Sequence, residues 1–287
     1  RAPEKAADCL QYERMYESGI CEVEPGLFSM TMAFTDVNFQ LARQEEQKSL
    51  FTQYSEFLNY FDPDTHLQIS LVTRRVDEAE FRRDTFLRGD ARDRYSEEMN
   101  RVISEKALQG QNGLIREKYI TISLHEDDYR KAQVRLLKRA EDIQNLFKRM
   151  GSTVRRLSGI ERLNLLHGII RPEEVMAFSY DWLLAEDSLT TKDFIAPSGY
   201  NWKPEHDDSR AVYNDRYQFG EYYGKVLYLR DIAPQMKDNL LSLLSDLDFD
   251  NAISIHVDAV EQREAVEQVQ KQLAYMQKEK GDGMVNA

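Results

Sequence analysis

The sequence has only two cysteines, Cys9 and Cys21, in 287 residues. Both lie near the N-terminus, so they cannot form the disulfide framework that holds small secreted domains together. Neither belongs to a Cys/His spacing that is typical of a zinc site. We therefore expect the chain to work in a reducing compartment.

Long apolar runs are also missing. No window approaches the roughly 20 apolar residues that a membrane-spanning helix needs. The first residues, RAPEK, lead into polar and charged positions, whereas a signal peptide would continue with an apolar segment. Because the chain does not begin with Met, we expect it to be a piece of a longer protein.

Positive charge is in deficit. The chain has 38 Lys and Arg against 50 Asp and Glu, which gives a formal net charge of −12. A protein that binds duplex DNA through its phosphates usually carries clustered basic residues in excess. The basic pairs here are short and most have acidic neighbours: Arg74 with Arg75, Arg82 with Arg83, and Arg155 with Arg156. They are typical of solvated helix surface, and we do not expect direct DNA binding.

Motifs for nucleotide hydrolysis and for nucleophilic catalysis are absent as well. A phosphate-binding loop has the form G-x-x-x-x-G-K-[ST], but the Gly224-Lys225 step is followed by Val226 and lies in a predicted strand. Ser158-Gly159 lacks the G-x-S-x-G frame of a nucleophile elbow. The sequence therefore assigns no catalytic, cofactor-binding or metal-binding residue, and we expect this chain not to be an enzyme by itself.

Regular secondary structure is well marked in the first half. Ile20–Glu24, a Pro-Gly turn and Leu27–Phe34 predict a β-hairpin whose second strand has one apolar face. The pattern then predicts a helix over 44–61, a strand over 67–73, a strand over 119–124, a helix over 129–150 and a short strand over 154–157. Between the two middle strands, residues 77–112 form a highly charged segment of helical composition. Short helices are expected over 159–167 and 173–184, followed by a loop over 185–208.

The last third repeats the order hairpin, helix, strand, helix. We expect hairpin strands over 217–219 and 224–229, a helix over 235–247, a strand over 253–257 and a helix over 261–280. The predicted fold is α+β, with two split-βαβ-like subdomains in which helices cover antiparallel sheets. The predicted divisions are a first subdomain at 1–158, a helical and loop connector at 159–208, and a second subdomain at 209–287. The sequence leaves open whether the two halves share one sheet.

Two clusters rich in His and Asp resemble metal sites. Residues 125–128 (His-Glu-Asp-Asp) could bind a metal together with residues 206–208 (His-Asp-Asp). The favoured alternative is a helix N-cap, because Asp127 and Asp128 directly precede a predicted helix. His66, His167 and His256 are expected to be structural or surface residues.

Two further features could contribute a binding surface. Tyr222-Tyr223 could form one near the second hairpin, although packing within the hairpin is favoured. The final helix has Val266, Val269, Leu273 and Met276 at heptad spacing, which permits a coiled coil, although packing against the sheet is favoured.

Nine short segments, in order along nearly the whole chain, together resemble one family. They are MYESGICEV at 15–23, FTDVNFQLA at 34–42, FLNYF at 57–61, KYITIS at 118–123, ERL and LHG at 161–163 and 166–168, KDFIAP at 192–197, and YGKVLYL at 223–229 with VD at 257–258. They are similar to the N-terminal region of the VirB/TrbE/CagE-type conjugation ATPases, in the branch carried by integrative elements of Gram-positive bacteria.

The resemblance implies the assembly or docking region of a cytoplasmic ATPase, peripheral at the inner face of the cell membrane, which powers DNA transfer through a type IV secretion channel. ATP and Mg would bind only in a RecA-like C-terminal domain that lies outside this sequence. Expected partners are channel components and neighbouring ATPase subunits. Two alternatives remain: a free-standing α+β protein-binding module that uses the 185–208 loop, and a metal-dependent hydrolase built on His125 and His206.

Overall fold

The computed structural model describes residues 6–37, 39, 41–75, 114–171, 180, 182, 190–196, 216–219, 222–228, 230 and 240–285. A 3-10 helix at Ala6–Cys9 is followed by strands β1 (Arg14–Met15), β2 (Ile20–Glu24) and β3 (Leu27–Phe34), helix α1 (Gln44–Leu58), strands β4 (Thr65–Arg75) and β5 (Leu114–His125), helix α2 (Tyr129–Arg149) and strand β6 (Val154–Arg156). The chain continues with α3 (Gly159–Ile170), α4 (Thr191–Ile195), β7 (Tyr217–Phe219), β8 (Tyr222–Gly224), α5 (Leu240–Ser245), β9 (Asn251–Asp258) and α6 (Gln262–Val285). The α+β prediction is confirmed.

The main sheet has the strand order β1-β2-β3-β5-β4-β9, and β6 pairs with the far end of β3. Every pairing in it is antiparallel. The chain order β3-α1-β4-β5-α2-β6 with the spatial order β6-β3-β5-β4 is a split βαβ arrangement, because β5 lies between the two strands that α1 connects.

The two halves of the chain share this sheet. Strand β9 pairs with β4 from His66↔Asp258 to Thr73↔Asn251, so the last third supplies one edge of the sheet that the first half builds. Strands β7 and β8 form a separate two-stranded sheet. The described residues therefore contain one split βαβ unit, and the domain boundaries at 158 and 208 stay predictions.

One face of the sheet packs against α1 and α2. The fully buried side chains of this core come from β2, β3, β4, β5 and both helices: Ile20, Met30, Met32, Leu67, Ile120, Ile122, Leu124, Phe57, Leu136 and Ile143 among them. In α2 the buried positions are Ala132, Leu136, Ala140, Ile143 and Phe147.

The apolar spacing in the helices predicted over 44–61 and 129–150 predicts one buried stripe on each helix, but three of the stripe positions are exposed: Val134 of α2 at 68%, Phe51 of α1 at 67% and Tyr54 of α1 at 43%. Val134 lies about 160° of helix rotation from the buried Leu136, and Phe51 is one residue, or about 100° of rotation, from the half-buried Leu50. Spacing alone does not show where a stripe ends.

The second face of β3 is buried too, which corrects the prediction of a half-buried strand. Ser29 and Thr31 are buried on the face opposite Met30. On this face Ser29 Oγ donates to the carbonyl oxygen of Cys21 at 3.3 Å and accepts from Arg162 of α3 at 2.8 Å. Cys21 belongs to a smaller apolar cluster contributed by the N-terminal segment, β2, α3 and α4: Tyr12, Met15, Cys21, Leu163 and Ile195. The sheet is thus covered on both faces near β2 and β3.

Several other predictions change. Residues 191–195, expected in a loop, form helix α4. The predicted strand at 224–229 ends at Gly224. The charged segment at 77–112 and most of the 185–208 loop lie outside the described residues. Of the helix predicted at 173–184 the structure describes only Tyr180 and Trp182.

Candidate docking surface

The last third of the chain exposes large apolar side chains that a folded core would normally cover. Residues 226–228 (Val-Leu-Tyr) follow β8 and are nearly fully solvent-accessible; Leu227 is 78% exposed. Helix α5 contains no buried residue, and Leu241, Leu243 and Leu244 are exposed. We call these residues, together with the apolar stripe of α6 described next, the C-terminal apolar surface.

Helix α6 is exposed along its whole described surface from Val266 to Tyr275. Val266, Val269 and Leu273 are each about half exposed, and their 3- and 4-residue spacing places them in one stripe. The prediction that this helix packs against the sheet is therefore wrong. Local pairs stabilise the helix surface instead, such as the hydrogen bond that Gln268 Nε2 donates to Glu264 Oε1 at 3.2 Å.

The small hairpin contains the tyrosine pair at 222–223, and the structure describes the side chain of the second tyrosine. Tyr223 is 61% exposed, and the Arg216 guanidinium lies 5.7 Å from its ring centroid. Tyr223 thus has a contact inside the hairpin, with the residue before β7, while most of its surface stays exposed next to residues 226–228. The side chain of Tyr222 lies outside the described part of the structure.

The predicted metal cluster at 125–128 is a helix start. Asp128 is the N-cap of α2, where its carboxylate accepts a hydrogen bond from the backbone N–H of Lys131 at 3.4 Å. Glu126 pairs with Arg135 at 2.6 Å, and Arg135 also contacts Asp64. This ion pair raises the pKa of Arg135. The N-cap interpretation is confirmed. The second cluster, residues 206–208, lies outside the described residues.

The exposed side of β4, β5 and β9 gathers polar side chains that the sequence does not place together. His66 Nδ1 lies 2.7 Å from the Asp258 carboxylate across the β4–β9 pair, and its ring is 6.4 Å from that of His125. Gln68 donates to Ser254 Oγ at 3.2 Å on the same strands. Among the described residues no three His, Cys, Asp or Glu side chains converge as metal ligands. These contacts attach β9 to the sheet.

A buried arginine is the strongest electrostatic feature that sequence reasoning missed. The Arg162 guanidinium donates to the carbonyl oxygens of Gly19 and Ser29, each at 2.9 Å, and to Ser29 Oγ at 2.8 Å. Desolvation lowers its pKa. A sequence signal existed, since Arg162 lies in a helix beside Leu163 and one turn before Leu166. Its contacts join α3 to the β2–β3 hairpin.

The same interior raises the pKa of two neighbouring acids. Burial raises the pKa of the Cys21 thiol, and it raises the pKa of Tyr12 to about 12. Tyr12 Oη lies 2.9 Å from Thr191 Oγ1, which ties the N-terminal segment to α4. Both groups stay neutral near pH 7. His167 is also buried, in the last turn of α3.

Within the described ranges no helix combines the length and apolar character that crossing a bilayer requires. A scan against models of protein families finds no family that matches the chain, and a search of curated proteins finds no match either.

Proposed function

We propose that the chain is the non-catalytic N-terminal docking region of an ATPase that powers conjugative DNA transfer through a type IV secretion channel. In this proposal it lies on the cytoplasmic side of the cell membrane and contacts channel components and neighbouring ATPase subunits. ATP and Mg are bound by another part of the longer protein.

The observation that carries the docking role is the C-terminal apolar surface. Folded proteins normally cover most of their large apolar side chains, and groups of exposed ones commonly mark protein interaction sites. Here exposed Val, Leu and Tyr side chains occur in 226–228, in α5 and along α6. The conjugation part of the proposal is supported by the sequence resemblance alone.

The charge balance supports a protein partner over a nucleic acid. With a net charge of −12, the chain would repel phosphates over much of its surface. The alternative of a free-standing binding module shares the same docking surface. The reading frame beyond Ala287 separates the two: a G-x-x-x-x-G-K-[ST] loop downstream supports the ATPase, and a stop codon near Ala287 removes it.

Conjugation frequency tests the docking role in the full-length protein. We expect Val269→Glu with Leu273→Glu to lower DNA transfer at least tenfold, equivalent to about 1.4 kcal/mol of lost binding free energy. Both side chains are half exposed, so the fold should survive, which circular dichroism of the 287-residue chain checks.

Lys271→Glu is the matched control for this test. It makes the same charge change of −2 on the same helix, but about 160° away from Leu273. We expect transfer within twofold of wild type. Equal transfer in all three strains would rule out α6 as a docking element.

A further inference from the structure

In the part of the chain that the structure describes, the main sheet has one edge built to prevent further pairing and a second edge without a partner strand. Along the first edge, β1 has only two residues, β2 contains a register shift between Glu22 and Glu24, and β6 has three residues that include Arg155 and Arg156. Short strands, bulges and charges are the features by which proteins prevent edge-to-edge pairing.

The opposite edge is long and regular, and its one acidic residue, Asp258, lies at its last position. Strand β9 has eight residues, NAISIHVD, and pairs with β4 without a register shift. It contains no Lys, Arg or Pro, and no other described strand pairs with it. A long, regular edge strand of this kind exposes unpaired backbone N–H and C=O groups that favour pairing with a further strand.

We propose that β9 pairs antiparallel with β9 of a second copy of this chain, across a two-fold axis at Ile255, so that the two sheets become continuous. The inference rests on the proposed docking function and names one partner for this end of the molecule, a neighbouring subunit. An isologous contact of this kind is the commonest route to a closed dimer.

Side-chain complementarity determines the register. With Ile255 opposite its own copy, Ile253 lies opposite Val257, and Ser254 lies opposite His256. Moving the two-fold axis to Ser254 places Asp250 opposite Asp258, and like charges directly opposite each other are destabilising. With the axis at His256, the His256 side chains of the two copies would lie directly opposite each other. A shift of the register by one residue would place the apolar side chains of one copy beside the polar side chains of the other.

Burial and charge favour the same pairing. Ile253, Ile255 and Val257 are only half-buried, although they continue the row formed by Leu71, Ile69 and Leu67 on the core face of β4. A second β9 would cover their open side. The net charge of −12 opposes self-association in general, but the one acidic residue of β9, Asp258, already pairs with His66.

Disulfide trapping tests the register directly. In a Cys9→Ser background of the 287-residue chain, Ile255→Cys places two thiols opposite each other, and mild oxidation should give a covalent dimer of twice 33.6 kDa. Ala252→Cys is the control, because in this register the two copies of residue 252 lie about 20 Å apart. We expect at least tenfold more dimer from Ile255→Cys. Equal trapping in both variants, or none at position 255, overturns the register.

Sedimentation equilibrium of the unaltered chain tests the dimer without introducing a cysteine. Between about 1 and about 100 µM, we expect the mass to rise from 33.6 kDa toward twice that value, and Ile255→Lys to abolish the rise. A mass that stays at 33.6 kDa throughout overturns the dimer. If α6 variants nevertheless lower DNA transfer, the docking function stands and only the β9 inference fails.

Discussion

Residues up to Ile170 and residues from Tyr217 onward use similar apolar side chains with opposite results. In the first region, Leu136 and Ile143 of α2 are completely buried between the helix layer and the sheet. In the second, Leu273 of α6 is 52% exposed, and α5 buries no residue. The difference lies in the neighbours, because among the described residues the helices of the first region cover a broad sheet face and those of the second region do not. An amphipathic pattern therefore predicts that a helix needs a partner and leaves the partner's identity open.

Matched leucine truncations should give the largest contrast between the two regions. We expect Leu136→Ala to lower the free energy of unfolding by about 2–5 kcal/mol, since it removes a buried side chain and leaves a cavity. Leu273→Ala should change it by less than about 0.5 kcal/mol. Urea unfolding followed by circular dichroism measures both values. Similar losses in the two variants would mean that α6 is packed in solution, and the comparison would fail.

Removing the buried guanidinium should show that polar contacts also hold the first region together. Arg162→Ala leaves buried carbonyl and hydroxyl oxygens of Gly19 and Ser29 without this donor, and we expect a loss of about 2 kcal/mol. Arg156→Ala, at an exposed position, is the control and should cost less than about 0.5 kcal/mol. The same urea titrations measure both. Equal stability of Arg162→Ala and wild type would contradict a joining role for Arg162.

High pH should destabilise the first region through Tyr12, with a smaller effect. Because the pKa of Tyr12 is raised to about 12 in the folded state, its contribution is fully present below the unfolded value of about 10 and is lost as pH rises through 12. Between pH 9 and pH 11, wild type should lose about 1.4 kcal/mol more than Tyr12→Phe. Unfolding free energies at the two pH values give this difference. An identical pH dependence in both proteins would show that Tyr12 is accessible to solvent.

The candidate site shows where sequence reasoning succeeds. The Asp128 cap followed from an acidic residue placed directly before an apolar helical pattern, and the structure confirms it. The sequence also shows the heptad spacing of α6, but it does not show that the stripe is exposed. The prediction that α6 packs against the sheet is wrong because periodicity carries no information about which surface of the fold is free to receive a helix.

Local sequence patterns suffice to predict the α+β class, the hairpin at Ile20–Glu24 and Leu27–Phe34, and the order of helices and strands that makes a split βαβ unit. These depend on local patterns: turn residues, alternation and helical spacing act over a few neighbouring positions. Three features could be seen only in the folded chain: β9 pairs with β4, both faces of β3 are buried, and Arg162 is buried against Ser29. Each of these joins segments far apart in the chain, and the choice among such partners depends on the shape and free surface of the rest of the fold.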